Sequence, residues 1–249
     1  MAGHSKWANI RHRKDRQDKK RGAAWSKCSK AIMVAARQGG PDPDSNLALR
    51  YAIDEAKYAN MPKDTIKRAI DKGAGAQSGE NFEEITYEGF GPCGVAVLID
   101  ALTDNKNRSV TDIRTIFKKV GCTLGTSGSV AHMFQTRGQI FLDGDFDEDT
   151  LMELALDAGA EDVIAPENEG EPWTVLTAAP DFLTVKDAIE NAGMNVVEAQ
   201  IAKLPNDPQV FSGEQVGKLL AFFEALEDCD DVHKVFWNAE FDESDMESI

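Results

Sequence analysis

Eight cations, Lys6, Arg11, Arg13, Lys14, Arg16, Lys19, Lys20 and Arg21, crowd the start of the chain beside Trp7, His12 and, a little later, Trp25. Ammonium and guanidinium groups at this density neutralise phosphates, and interleaved aromatic rings can stack on bases. Their spacing is too irregular for one helical stripe, which suits a segment that orders on a phosphate backbone. If six of these charges meet phosphates, the log–log salt dependence of binding to duplex DNA has a slope of roughly −5. Such contacts position a protein but do not read bases.

Lys27 and a later set of cations extend the candidate interface. Lys63 and Lys67 are four residues apart, as are Arg68 and Lys72, so each pair shares one helical face. Asn60-Met61-Pro62 separates two short helical patterns. That admits a helix-turn-helix reading with Lys63, Lys67 and Arg68 outward; ordinary packing with incidental lysines is the competing one.

Other chemistries find little support. Gly121-Cys-Thr-Leu-Gly125-Thr-Ser-Gly128 lacks the Gly-Lys-Ser/Thr ending of a phosphate-binding loop, so a turn-rich connection is the better reading. In Asp143-Gly-Asp145-Phe-Asp147-Glu148-Asp149 a calcium loop would need Gly where Glu148 stands and Glu where Leu154 stands, so these acids read as a helix N-terminus. His4, His12, His132 and His233 have no partner at ligand spacing, and no hydrolase or metalloprotease signature occurs. Cys28, Cys93, Cys122 and Cys229 form no C-x-x-C pair, so free thiols in a reducing compartment are expected. Asp104-Asn-Lys-Asn-Arg108 reads as a helix cap or a polar contact surface. No enzymatic activity, cofactor or metal is expected.

The elements that carry these residues divide by charge. The 249 residues carry a net charge of −16, yet residues 1–72 hold +9 and the remainder −25. That asymmetry implies a basic nucleic-acid-binding part on an acidic body with surfaces for protein partners. Opposite ends of one chain could also serve self-association, and the oligomeric state is left open. No run of eighteen apolar residues exists, the basic start lacks an apolar core for a secretory signal, and Asp15 and Asp18 argue against a transit peptide.

Helical spacing starts at Trp25, Cys28, Ile32 and Ala35 and ends at Gly39-Gly40-Pro41. Asn46 caps a second helix, and a third runs over 63–72, giving a basic arm and helical domain over 1–79. After a Gly-rich linker the pattern becomes strand, strand, helix (107–120) and strand (130–135). Residues 137–204 then read as βαββαβ, the split-βαβ or ferredoxin-like order. A helix (213–226) and a strand (232–237) follow. These complete the α-β pair that the middle block lacks, so 137–204 is expected to be inserted into a middle domain of 80–136 plus 205–240. The fold class is α+β.

The opening Met1-Ala-Gly-His-Ser-Lys-Trp-Ala-Asn-Ile10, with His12-Arg-Lys14 and Gln17-Asp18, resembles the YebC/PmpR family. Asn60-Met-Pro-Lys63, Ile66 to Ile70, Tyr87-Glu-Gly-Phe-Gly-Pro92, Leu102-Thr-Asp-Asn-Lys-Asn-Arg108, Leu124-Gly125, Gly128-Ser-Val130 and Phe134 match it too. Cys93 and Cys122 depart from it, standing where the family commonly has glycine. The resemblance implies an N-terminal helical domain followed by two related α+β domains, the third inserted in the second. It implies a cytoplasmic bacterial DNA-binding regulator of transcription. The rival it also implies is a translation factor meeting ribosomal RNA, since mitochondrial relatives resemble translational activators of cytochrome c oxidase subunit I. The family pattern begins at Met1, so no transit peptide is expected ahead of it.

Deleting residues 1–22 is expected to leave the α+β part folded, by circular dichroism, while removing most nucleic-acid affinity in a filter-binding assay. Undiminished affinity would exclude the arm from the interface.

Overall fold

The computed structural model describes residues 21–75, 82–166 and 170–241. Three helices come first: α1 (Arg21–Gly39), α2 (Leu47–Tyr58) and α3 (Lys63–Ala74). Helix α1 begins a turn before the apolar periodicity does, because that first turn carries no core residue. Ile32, Leu49 and Ala56 are fully buried between the three. Asn46 joins two of them. Its Oδ1 accepts from Leu49 N at 3.1 Å, capping α2, while Nδ2 donates to the carbonyls of Ala35 and Gly40, each at 2.8 Å. Helix α3 packs so closely on α1 that a Cβ at Gly73 would lie 2.5 Å from the Met33 carbonyl oxygen.

The next elements are β1 (Glu83–Phe90), β2 (Ala96–Thr103), α4 (Lys106–Lys119) and the short β3 (Thr123–Leu124). From Pro205 onward come β8 (Gln209–Phe211), α7 (Glu214–Glu227), β9 (Val232–Trp237) and β10 (Ala239–Phe241). Strands order as β3-β1-β2-β9, with β1–β2, β1–β3 and β2–β9 all antiparallel. Helices α4 and α7 supply the core against this sheet. Phe117 and Phe222 meet edge-on with ring centroids 5.1 Å apart, over Val97, Ile99 and Val235. Strands of two or three residues, such as β3, β8 and β10, are too short to leave a period in the sequence. Asn238 is fully buried and fastens the tail to β2: its Oδ1 accepts from Ala96 N at 2.8 Å.

Between these halves lie β4 (Phe134–Asp143), α5 (Glu148–Asp157), β5 (Ala160–Ile164), β6 (Trp173–Ala178), α6 (Phe182–Asn191) and β7 (Asn195–Pro205). Their sheet order is β5-β6-β4-β7, the order of a split βαβ fold. The strands expected at 130–135 and 139–142 are instead a short helical turn, Ala131–Met133, and the single strand β4. Gly138 does not break that strand: a Cβ there would collide with Thr177 and Phe182, so the glycine admits a close neighbour.

Two compact units result, one of 135–204 and one holding the helices together with the flanking α+β elements. Within the second unit a buried carboxylate joins distant segments. Asp231, just before β9, is 3 % exposed. It accepts hydrogen bonds from Ser109 Oγ at 2.7 Å, Thr103 Oγ1 at 3.1 Å, Arg108 Nη2 at 2.8 Å and Arg108 Nε at 3.1 Å. Lys30 Nζ of α1 lies 3.5 Å from the same carboxylate and donates to the Asp230 carbonyl at 2.8 Å. Lys27 donates to the Glu227 carbonyl at the end of α7, where the helix dipole is negative. On the other flank Glu55 of α2 meets Lys234 Nζ at 3.2 Å. Burial works to raise the Asp231 pKa, but the donors from Ser109, Arg108 and Thr103 outweigh it and hold the group below its ordinary value of 3.8.

A carboxyl whose folded pKa is depressed stabilises the fold above its unfolded pKa and loses that effect as pH falls through the folded value. Asp231→Asn is therefore expected to cost about 3 kcal/mol at neutral pH, since it leaves Arg108 and Lys30 without their buried partner. The gap to the wild type in urea titrations should narrow as the pH drops below about 4; a gap unchanged with pH excludes the charged role. A second expectation concerns Cys93, an exposed non-glycine residue at φ +57° in the β1–β2 turn. Cys93→Gly should raise stability by about 0.5–1 kcal/mol, the left-handed penalty less the added unfolded-state entropy of glycine. An unmoved urea midpoint would mean that the turn stores no such strain.

Candidate nucleic-acid interface

Lys6, Trp7, Arg11, His12, Arg13, Lys14, Arg16, Lys19 and Lys20 lie outside the described residues, and Arg21 is the first residue of α1. The remaining candidates divide. Lys27 is half-buried and engaged with the end of α7, so its charge already has a partner within the protein. Lys63, Lys67 and Arg68 are exposed together on α3.

The chain presents α3 through a tight turn. Asn60 sits at φ +55°, a conformation that Asn tolerates, and Met61 N donates to the Ala56 carbonyl at 2.9 Å, closing α2. Pro62 then caps α3 in extended conformation and accepts from Thr65 N at 2.8 Å. Ile66, Ala69 and Gly73 face inward, which turns Lys63, Lys67 and Arg68 to solvent, interleaved with Asp64 and Asp71. Arg68 lies back along its own helix: Nε donates to the Asp64 carbonyl and Nη2 to Thr65 Oγ1, both at 3.2 Å. The outer face thus offers ammonium groups to a polyanion, with its guanidinium fork already partly engaged.

The glycine-rich loop after α4 holds an anion, but the anion is the protein's own. Glu88 of β1, 6 % exposed, accepts from the backbone N–H of Gly128 at 2.7 Å, Val130 at 2.9 Å and Ala131 at 2.8 Å. Burial pushes its pKa upward, and these three donors, aided by His132, more than reverse the effect. The N–H groups that a phosphate would need are therefore filled, and the loop is a structural connection. The polar run 104–108 is also architectural: Asn105 caps α4 by accepting from Arg108 N at 3.1 Å, and Arg108 clamps Asp231 and Asp104. Asp147 caps α5, accepting from Thr150 N at 3.0 Å.

One basic surface was hidden by counting charge over long stretches. Helix α4 carries Lys106, Arg108, Arg114, Lys118 and Lys119 against the single acid Asp112, inside the strongly acidic part of the chain. The available signal was local: no Asp or Glu occurs from Ile113 to Leu142. No helix among the described residues is long and apolar enough to cross a membrane.

Comparison with known proteins places these features. Residues 5–76 match the TACO1/YebC N-terminal domain, and residues 82–239 match the TACO1/YebC second and third domain. A relative from Polynucleobacter asymbioticus, named "Probable transcriptional regulatory protein", is 50 % identical over 239 residues, covering 96 % of this chain and 99 % of its own. A relative of the same name from Pseudomonas syringae pv. syringae is 47 % identical over the full length of both chains. The crystal structure of a conserved hypothetical protein from Aquifex aeolicus superposes with a TM-score of 0.78 at 42 % identity, over 89 % of this chain and 91 % of that one. The relatives' names are those of regulators and not of enzymes. With both family patterns spanning nearly its whole length, the chain belongs to the TACO1/YebC family.

Proposed function

We propose that this protein is a non-enzymatic, cytoplasmic regulator of transcription that grips the phosphate backbone of DNA through residues 1–21 and the outer face of α3. The observation that carries the proposal is the segregation of charge: +9 over residues 1–72 in a chain of −16, with Lys63, Lys67 and Arg68 exposed on a helix whose opposite face is packed. The acidic remainder is repelled by phosphates, which orients the bound molecule and leaves those surfaces to protein partners. The names of the relatives favour transcription as the process.

A second reading, RNA within the ribosome as the target, draws support from α3 itself. Arg68 is folded onto its own helix and Asp64 and Asp71 interrupt the lysines, an arrangement suited to backbone contact more than to base reading.

Replacing Lys63, Lys67 and Arg68 together by glutamine is expected to reduce affinity roughly tenfold or more at low salt and to flatten the salt slope by about 2–3. Unchanged affinity would remove α3 from the interface. Ribosome co-sedimentation at physiological salt, beside competition by duplex DNA, separates the two readings. Ribosome retention together with sequence-indifferent DNA binding would overturn the promoter reading.

A further inference from the structure

We infer that helix α4 is a second phosphate-contacting surface, so that the interface of this protein extends beyond its helical domain. This inference rests on the proposed nucleic-acid reading and deepens it.

From Gly73 to the end of the chain there are 10 basic residues against 35 acidic ones. Seven of the ten are engaged with the protein itself. Lys106 meets Glu83, Arg108 meets Asp231, Arg137 meets Glu161, Lys186 meets Glu190, Lys218 meets Glu214 and Lys234 meets Glu55; Lys203 is engaged as well. The other three, Arg114, Lys118 and Lys119, are exposed and form no ion pair among the described residues. Of the seven, Lys106, Arg108 and Lys218 are as exposed as these three and still meet a carboxylate. Three without an ion pair among the described residues, all in the second half of a single helix, form a cationic patch suited to an external polyanion.

The geometry of α4 sharpens this. Arg108, Asp112, Thr115 and Lys119 share a stripe that borders a cleft with Lys30, Asp228 and Asp230, where charges of both signs mix. The adjacent stripe, at the same spacing, is Asn107, Thr111, Arg114 and Lys118. It is fully exposed, spans about 16 Å along the helix and contains no carboxylate. The inward face, Ile113 and Phe117, is buried in the core, so this stripe is held rigidly outward. Downstream, the acid-free run continues through the loop to Phe134, and the carboxylate that reaches it, Glu88, is buried and hydrogen-bonded. Amide, guanidinium and ammonium groups along one rigid face are donor types that meet phosphodiester oxygens, whereas the Thr111 hydroxyl already donates to the Asn107 carbonyl at 2.6 Å. Lys118 and Lys119 also suit the negative end of the helix dipole, but Arg114, a turn earlier, lies outside that effect.

The test uses the full-length protein and a short labelled DNA duplex, with an RNA duplex of the same sequence as a second probe. Fluorescence anisotropy is followed from about 50 to 200 mM salt. The variant Arg114→Gln/Lys118→Gln/Lys119→Gln is expected to bind about tenfold or more weakly and to lose about 2–3 from the salt slope. Arg114→Lys/Lys118→Arg/Lys119→Arg should restore both, and Lys218→Gln, an exposed but paired lysine, should change neither. Loss on both probes supports a contact to the shared backbone, and loss on one alone supports it and identifies which nucleic acid α4 meets. Wild-type affinity and slope in the triple glutamine variant, with or without a small drop in melting temperature, overturn the inference. If Lys63→Gln/Lys67→Gln/Arg68→Gln is then weakened, the proposed function stands without α4. A wild-type protein that binds neither probe at low salt overturns both.

Discussion

A carboxylate withdrawn from water must be met by donors, and Asp231 draws its donors from segments far apart in the chain. Thr103 ends β2, Arg108 and Ser109 open α4, and Lys30 comes from the middle of α1. Each is satisfied by one residue just before β9, which the chain reaches only after completing the separate 135–204 unit. The helical segment, the first hairpin and the returning tail are thereby tied at one point. Because a buried charge stripped of its partners is costly, moving any one of these segments away from Asp231 carries a penalty. It also accounts for Asp104, Asn105 and Arg108 in the polar run 104–108, which serve the clamp and the cap of α4.

Glu88 follows the same logic at another place. The glycine-rich turn after α4 gathers N–H groups into a concavity that favours an anion, and the protein fills it from its own first strand. Glu88 and Asp231 are both carboxylates whose pKa burial pushes up and directed hydrogen bonds bring below the ordinary value. An acidic chain thus uses part of its charge as internal fasteners. At the same time Lys27, Lys30, Arg108 and Lys234 are consumed in holding the helices to the α+β sheet. Among the described residues, exposed cations that form no ion pair remain on α3, at Lys63 and Lys67, and on α4, at Arg114, Lys118 and Lys119.

Much of the fold was legible because its elements are long and amphipathic. The spacing of Leu49, Ile53 and Ala56, of Ile66, Ala69 and Ile70, and of Val110, Ile113, Ile116 and Phe117 marks three helices; Ile53, Ile70, Val110 and Ile116 are half-buried and the other six buried. The βαββαβ rhythm of the 135–204 unit was visible for the same reason, since each strand and helix there spans at least one full period. Strands expected at 130–135 and within 137–204 meet in the single strand β4, where Gly138 admits Thr177 and Phe182 at close range. The candidate interface was less legible. Charge summed over long stretches marks residues 1–72 as basic, yet it merges Lys27, which is engaged, with Lys63 and Lys67, which are exposed, and it averages α4 into its acidic surroundings.

By itself, then, the sequence determined the family, the α+β class, the amphipathic elements and the sign of charge along the chain. These are properties of residue type and of spacing within a few turns. Only the tertiary structure decided which charges find partners. Pairs four residues apart, such as Lys186 and Glu190, can be read from spacing, but a pair such as Arg108 and Asp231, more than a hundred positions apart, has no signature in one-dimensional order.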